Sequence, residues 1–384
     1  MNLNDYFNPI DIRNTDRSFI HPSAQLISFA KIHTRKNPID NISDYDIALI
    51  GVPSNNNTDD QAEDYLVIRN ELFSLCANKK TKLYDLGNFK PGITKNDTII
   101  GLRDVIIELK ANNVTPIIIG NSDDILYAQY LVNVKLGSIV NIATIDSRIA
   151  VNENKESKIP SVLWKILVSE NESLSTFTNL GFQSYFVNPK TLQFISEKNH
   201  LAYRIGYIRS NLKESEPVLR DADLIGINIS SIRLSDAPGQ DNGSPNGFYG
   251  EEICQIVRYS GTSNRVSSIG FYDFNSNKDQ NKQTSKLLAQ MIWYFIEGFY
   301  QRIIENPADS KSQFKKFIVT IDNTHNELLF YKSEKTDRWW MEIPFLKDPA
   351  KTKIIACTYE DYLKATSGEL PDRWLNVFQK FNSE

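Results

Sequence analysis

Residues Ile225 to Gly250 read IGINISSIRLSDAPGQDNGSPNGFYG, and this stretch decides the fold. Leu224–Ile229 is a nearly continuous apolar run. A run of that length with no polar alternation predicts a strand buried on both faces of a parallel sheet. It passes into a loop punctuated by Ala237-Pro238-Gly239 and Ser244-Pro245-Asn246-Gly247. Proline presets one backbone angle and glycine tolerates the others, so such clusters predict turns. In open α/β sheets, ligands bind beyond the carboxyl ends of the strands, where a loop of this kind lies.

The same grammar repeats outward from it. Apolar runs at Ile47–Val52, Lys82–Leu86, Thr115–Ile119, Val140–Ile145, Ser184–Val187 and Ser267–Phe274 predict further strands. Helical spacing at Glu63–Cys76, Thr98–Asn112, Asp124–Val134, Val162–Val168, Pro189–Glu197 and Gly250–Tyr259 predicts the helices between them. Alternation of this kind predicts a three-layer α/β/α fold with a mostly parallel sheet. Gln283–Ile304 reads as one long helix with an aromatic stripe, placed in the core, or else at a subunit interface. From about Lys315 the pattern changes to short strands (Phe317–Ile321, Glu327–Tyr331, Trp340–Ile343, Lys353–Cys357) and two helices (Tyr359–Thr366, Asp372–Phe381). The expected organisation is a polar surface segment over 1–44, an α/β domain over 45–310, and a small C-terminal α+β extension over 311–384. Arg338-Trp339-Trp340 either anchors that extension on the core or forms an exposed recognition surface.

Four strand ends carry the polar residues of a site. They are Pro116-Ile-Ile-Ile-Gly-Asn-Ser-Asp-Asp124, Asn141-Ile-Ala-Thr-Ile-Asp-Ser-Arg-Ile-Ala150, the opening stretch with Asn228 and Ser230, and Ser268-Ile-Gly-Phe-Tyr-Asp-Phe-Asn275 followed by Gln283-Thr284. In order and rough spacing these resemble the arginase, agmatinase and formimidoylglutamase family, the ureohydrolases. The likeness spans about Asp46 to Tyr300, and SPNGFYGEE with the aromatic helix places it nearest the formimidoylglutamase-like branch. The resemblance implies an arginase-like fold and a pair of manganese ions held by two histidines and four aspartates. At the matching positions this chain has Asp123, Asp146, Arg148, Ala150, Asn228 and Ser230. Asp146 matches an aspartate ligand and Asp123 falls on or beside a histidine position. Arg148 stands where the family has histidine, and Ala150, Asn228 and Ser230 stand where it has aspartate. Asp273 stands where the family has a glutamate that contacts the substrate's amidine. The chain has four histidines, His21, His33, His200 and His325, none of them in a matching motif.

A bridging hydroxide between two metals is what such hydrolysis requires at neutral pH. Guanidinium stays protonated and does not ligate metals. The sequence therefore predicts that manganese is not retained, with no cofactor in its place, and that Arg148 pairs with Asp146 and Asp123 as an internal cation, or else points to solvent. Any single ion would have only oxygen donors from Asp123, Asp124, Asp146, Asp236 and Asp273. The expected function is that of a non-catalytic binding, scaffold or regulatory protein, a pseudoenzyme holding a small guanidino or amidino ligand through Asp273 and Asp124. The alternative is an active hydrolase of C–N bonds in linear amidines.

With 384 residues, 41% of them hydrophobic, the chain can bury a large core. A net charge of −4 spread over both signs leaves no footprint for nucleic acid. Cys76, Cys254 and Cys357 show no disulfide or zinc spacing and are expected to be reduced core residues. Nothing predicts a signal peptide or a membrane span, so the expectation is a cytoplasmic protein with no membrane partner. The resemblance adds homo-oligomerisation, and the C-terminal extension offers a surface for a protein partner. Asp322–Glu327, which contains His325, reads as a turn between strands.

Overall fold

The computed structural model describes residues 1–12, 20–53, 60–77, 80–152, 161–321 and 326–382. His325 lies outside them. The strands are β1 (Phe7–Asn8), β2 (Ala30–Ile32), β3 (Ile47–Val52), β4 (Leu83–Phe89), β5 (Thr115–Gly120), β6 (Val140–Ile145), β7 (Leu174–Phe182), β8 (Leu201–Arg204), β9 (Leu224–Asn228), β10 (Ser268–Tyr272), β11 (Lys315–Ile321), β12 (Asn326–Lys332), β13 (Trp339–Phe345) and β14 (Asp348–Cys357). The helices are α1 (Asp60–Phe73), α2 (Lys95–Ala111), α3 (Asp124–Leu136), α4 (Val162–Trp164), α5 (Pro189–Glu197), α6 (Ile205–Ser210), α7 (Ser215–Asp221), α8 (Gly250–Gly261), α9 (Gln283–Tyr300), α10 (Tyr359–Thr366) and α11 (Asp372–Asn382).

The main sheet runs β1-β4-β3-β5-β10-β9-β6-β7-β8, with β2 also on β4. Every pairing is parallel except β1 with β4. Side chains alternate across it, which divides the core in two. Ile117, Ile119, Ile225, Ile227, Ile269 and Phe271 join one cluster under α1, α8 and α9. Ile118, Ile142, Leu224 and Tyr272 face the other, under α2 and α3. This is the three-layer α/β/α arrangement. The central strands β10 and β9 come late in the chain and sit between β5 and β6. The carboxyl ends of β5, β10, β9 and β6 are therefore neighbours although they are far apart in sequence.

Two strands differ from the sequence reading. Ser184–Val187, expected as a strand, begins as a single 3-10 turn over Ser184–Phe186. The strand lies earlier, at β7, and β8 follows it at the sheet edge. Thr178 and Asn179 are buried inside β7, and Asn179 Nδ2 donates to Thr144 Oγ1 at 3.1 Å. Buried polar residues break the apolar run that marks the other strands. The aromatic helix ends at Tyr300, before the expected Ile304. Its Leu288, Met291, Ile292 and Phe295 are fully buried within this chain. Cys76, expected in the core, is exposed, whereas Cys254 and Cys357 are buried.

The C-terminal strands form an antiparallel sheet in the order β11-β12-β13-β14, packed with α10 and α11. Trp339 and Trp340 are buried, so the Arg338-Trp339-Trp340 cluster anchors and does not form an exposed surface. Arg220 on α7 stacks on Trp340 at 4.4 Å and donates to the carbonyls of Trp339 and Cys357. Asp221 accepts from Ala356 N at 2.8 Å. No helix among the described residues is long and apolar enough to cross a membrane.

Candidate functional site

Each site residue sits at the end of a buried strand or one to three positions beyond it. Asp123 follows β5, Asp146 and Arg148 follow β6, Asn228 closes β9 with Ser230 just after it, and Asp273 follows β10. Asp273 has a left-handed backbone, φ 67°. Aspartate tolerates that region better than most residues, and such strain gathers where a side chain must be aimed.

The carboxylates of Asp123, Asp146 and Asp273 share this end of the sheet. Burial pushes the Asp146 carboxyl up to about 7, and repulsion from Asp123 and Asp273 adds to it. Asp123 is recessed but open to water, and burial with repulsion from Asp124 and Asp273 raises it to about 6. Asp273 is raised by burial, against the pull of a 3.2 Å bond from Asn242 Nδ2. The Tyr272 hydroxyl lies close enough to feel Asp123 and Asp146. It donates to Gln129 Oε1 at 3.0 Å and sits in a slot between Gly226 and Gly270, where any Cβ would meet the ring at under 3 Å. Two carboxylates raised together mark a site with surplus negative charge.

Arg148 is not the internal cation expected between Asp146 and Asp123. Only its backbone N–H reaches Asp146, at 2.9 Å to Oδ1. The guanidinium stacks on Phe186, 4.3 Å from the ring centre. Its Nη1 donates to Asn242 O at 3.2 Å and more weakly to Ser147 Oγ at 3.4 Å. Neither is it free in solvent, because Phe186 and Asn242 hold it at the rim.

Asn228 Oδ1 accepts from Ser230 N at 2.9 Å and caps the short turn after β9. Ser230 is buried, with its hydroxyl 3.4 Å from Ser147 Oγ. These two residues use their polarity within the loop. Asp124 opens α3 and is bound by Ser122 and by Lys95, whose Nζ is 2.6 Å from Oδ2. It lines a neighbouring cavity of about 540 Å³ with Val52, Ile99 and Ile125. Ala150 is exposed beyond the site. Of the histidines, His33 and His200 are buried elsewhere and His21 bonds Ser23 on the surface. Among the described residues no three His, Cys, Asp or Glu side chains converge to hold an ion. Cys254, its thiol pushed up to about 12 by burial, is no nucleophile.

Sequence reasoning missed Asn242, Phe186 and Tyr272. Asn242 lay in plain view in the Asp241-Asn242-Gly243 turn. Phe186 was hidden by the reading of its segment as a strand.

Comparison with known proteins bears on the architecture that carries these residues. No family model matches the chain. Solved structures share its architecture. Formimidoylglutamase from Bacillus subtilis aligns with a TM-score of 0.63 and 19% identity, covering 78% of this chain and 98% of that one. Trypanosoma cruzi formiminoglutamase with Mn2+2 aligns at 0.61 and 16%, covering 69% and 97%. The fold is arginase-like. In sequence, this arginase-like chain is 26% identical to Staphylococcus haemolyticus formimidoylglutamase over 189 residues, which is 47% of this chain and 60% of that protein. A Staphylococcus aureus formimidoylglutamase gives 23% over 201 residues, 49% and 62%. The chain thus spans about three fifths of the length of the curated relatives it matches. About half of it is similar in sequence to formimidoylglutamases. The expectation that no cofactor belongs to this site is corrected by these comparisons, because the T. cruzi structures of the shared fold carry Mn2+2. The donors present in the arginase-like chain still differ from the two-histidine, four-aspartate set. Those near the strand ends are oxygen donors only.

Proposed function

We propose that this arginase-like chain binds a small guanidino or amidino compound at the ends of β5, β6 and β10. The observation that carries the reading is the carboxylate trio of Asp123, Asp146 and Asp273 at one end of the sheet, where the neighbouring cations Lys95 and Lys278 pair with Asp124 and Asp241 instead. Burial raises the carboxyls of all three, and repulsion within the trio adds to it at Asp123 and Asp146. A planar organic cation would relieve the repulsion and accept charge-assisted hydrogen bonds from its N–H groups, worth about 1.5–3 kcal/mol each. Asp273 is the anionic partner best placed to meet it, held by Asn242 in a fixed orientation.

The named relatives favour hydrolysis of the bound amidine, as in a formimidoylglutamase. One observation favours binding without hydrolysis: Asn228 and Ser230 are engaged within their own loop and Arg148 occupies the rim. Manganese, held by the T. cruzi neighbours, would find Asp123 and Asp146 as carboxylate donors here, a set that does not complete the family pattern.

Calorimetric titration with guanidino and formimino compounds should show saturable binding that Asp273→Asn weakens by about tenfold. Absence of binding to every compound would overturn the reading. Urea or formamide release, measured with and without added manganese alongside metal content, separates the two outcomes. Manganese-stimulated release assigns a hydrolase, and binding with no release assigns a binding protein.

A further inference from the structure

A larger cavity, of about 1230 Å³, opens where the C-terminal sheet meets the α/β core. Arg220 on α7 and Thr262 just after α8 line it, in segments that lead into the amino ends of β9 and β10. It therefore lies at the opposite end of these strands from the carboxylate trio. β11, β13 and α10 supply the other wall through Phe317, Trp339, Tyr359 and Tyr362.

That wall is a row of rings. Phe317 lies 5.1 Å from Trp339, Trp339 4.9 Å from Tyr362 and Tyr362 5.8 Å from Tyr359, centre to centre. Each ring is within 33° of parallel to the next. Trp339 is buried at the base, and Tyr359 at the end of the row is 51% exposed. Near-parallel rings with an open end form a platform on which another flat ring stacks.

The facing wall is cationic. Among the described residues Arg220 and Arg338 share a single carboxylate, Glu216, whose Oε1 lies 3.2 Å from Arg220 Nε and 3.1 Å from Arg338 Nε. One positive charge of the pair is left over. Arg220 is buried, and its Nη1 has no hydrogen-bond partner among the described residues. A buried donor left unmade is costly, and a ligand oxygen would satisfy it. Other carboxylates nearby are committed or outside. Glu214 pairs with Arg373 at 2.7 Å, Asp337 with Lys332 at 2.8 Å, and Asp221 accepts from Ala356 N. Glu334 and Glu360 are exposed. Trp339 joins the two walls, because its ring belongs to the row and its carbonyl accepts from Arg220 Nη2 at 3.0 Å. Ring and anion subsites are thus neighbours, and guanidinium groups match the geometry of phosphate and carboxylate.

We propose that this cleft binds a small aromatic anion, with its flat ring against Tyr359 and Tyr362 and its phosphate or carboxylate on Arg338 and Arg220. The site is separate from the strand-end site and does not depend on what binds there.

The test titrates AMP and indole-3-acetate calorimetrically against the full-length protein, beside adenosine and 3-methylindole, which carry the same rings without the charge. In at least one pair, wild type should bind the anion tenfold or more tightly than its neutral counterpart, as expected for charge-assisted contacts. Preference in the first pair assigns a phosphate, and in the second a carboxylate. Arg338→Gln should bring the ratio near one, and Arg338→Lys should keep part of it. Tyr359→Ala should weaken both members of the pair by about tenfold and leave their ratio unchanged. Circular dichroism of each variant confirms folding, and the exposed Tyr359 keeps the test decisive if Arg338→Gln does not fold. Failure of both anions to bind, equal affinity within both pairs, or binding that Arg338→Gln and Tyr359→Ala leave unchanged overturns the proposal. Loss of anion binding in Asp273→Asn would place the ligand at the carboxyl ends of the strands and overturn it as well.

Discussion

His200 shows at the scale of one residue how the sheet fixes a charge state. It is buried beside β7, where its Nδ1 accepts the Phe177 N–H at 3.2 Å. Burial, with Lys380 and Lys198 nearby, lowers its pKa to about 3. An unfolded chain takes up that proton near 6.5. Between these values the unfolded state binds more protons, so this contribution is present above about 6.5 and is lost as pH falls. Asp123 and Asp146, raised in the fold, act in the opposite sense, so the readout is a difference. His200→Gln keeps an acceptor without a titration. Below pH 6.5 the wild type should lose stability relative to that variant by about 1.4 kcal/mol per pH unit in urea unfolding, and parallel profiles would refute it. The acidic site residues were legible in the sequence because each follows an apolar run ending in a turn. The pairing of Arg148 was not, because it depends on Phe186 and Asn242, which reach the site from other loops.

The loop after β9 is the element that organises the site, and glycine makes it possible. A Cβ on Gly247 would lie 2.2 Å from Arg233 N and 2.5 Å from Ile232 C. Both are backbone atoms, and Phe248 is hydrogen-bonded there to Ser231 and Arg233 at 2.9 and 3.2 Å. The loop therefore closes on itself, with Asn242 at its outer part. Gly247→Ala should destabilise the protein by about 1–3 kcal/mol, the usual range for forced overpacking, measured as a lower urea midpoint at unchanged slope. A neutral effect would show that the loop yields. Gly239 is similarly hemmed by Thr284, whose Oγ1 accepts the Gly239 N–H at 2.7 Å and ties the loop to α9. At this scale the sequence was informative wherever strands were mostly apolar, as in β3, β5 and β9. It failed at β7, where Thr178 and Asn179 are buried and Asn179 bonds Thr144 on the next strand. Periodicity cannot reveal a polar residue whose partner lies thirty-five positions away.

At the scale of the whole molecule, the C-terminal sheet is joined to the α/β core through α7. Arg220 is one of the links, buried between Trp340 and two backbone carbonyls, beside Asp221 on Ala356 N. Removing one partner from such a buried arrangement leaves the others unsatisfied. Arg220→Ala should cost about 2–4 kcal/mol and expose the C-terminal sheet to limited proteolysis before the core is cut. Simultaneous cleavage of both would argue against α7 as the link. The sheet order has a further consequence, for the time course of synthesis. β5 and β6 emerge early but never pair with each other, because β9 and β10 occupy the space between them. Until residue 272 has left the ribosome, two half-sheets each present an open apolar edge. The last strands to be made are the ones that close the middle, so Asp123 and Asp146 become neighbours only when nearly three quarters of the chain exists.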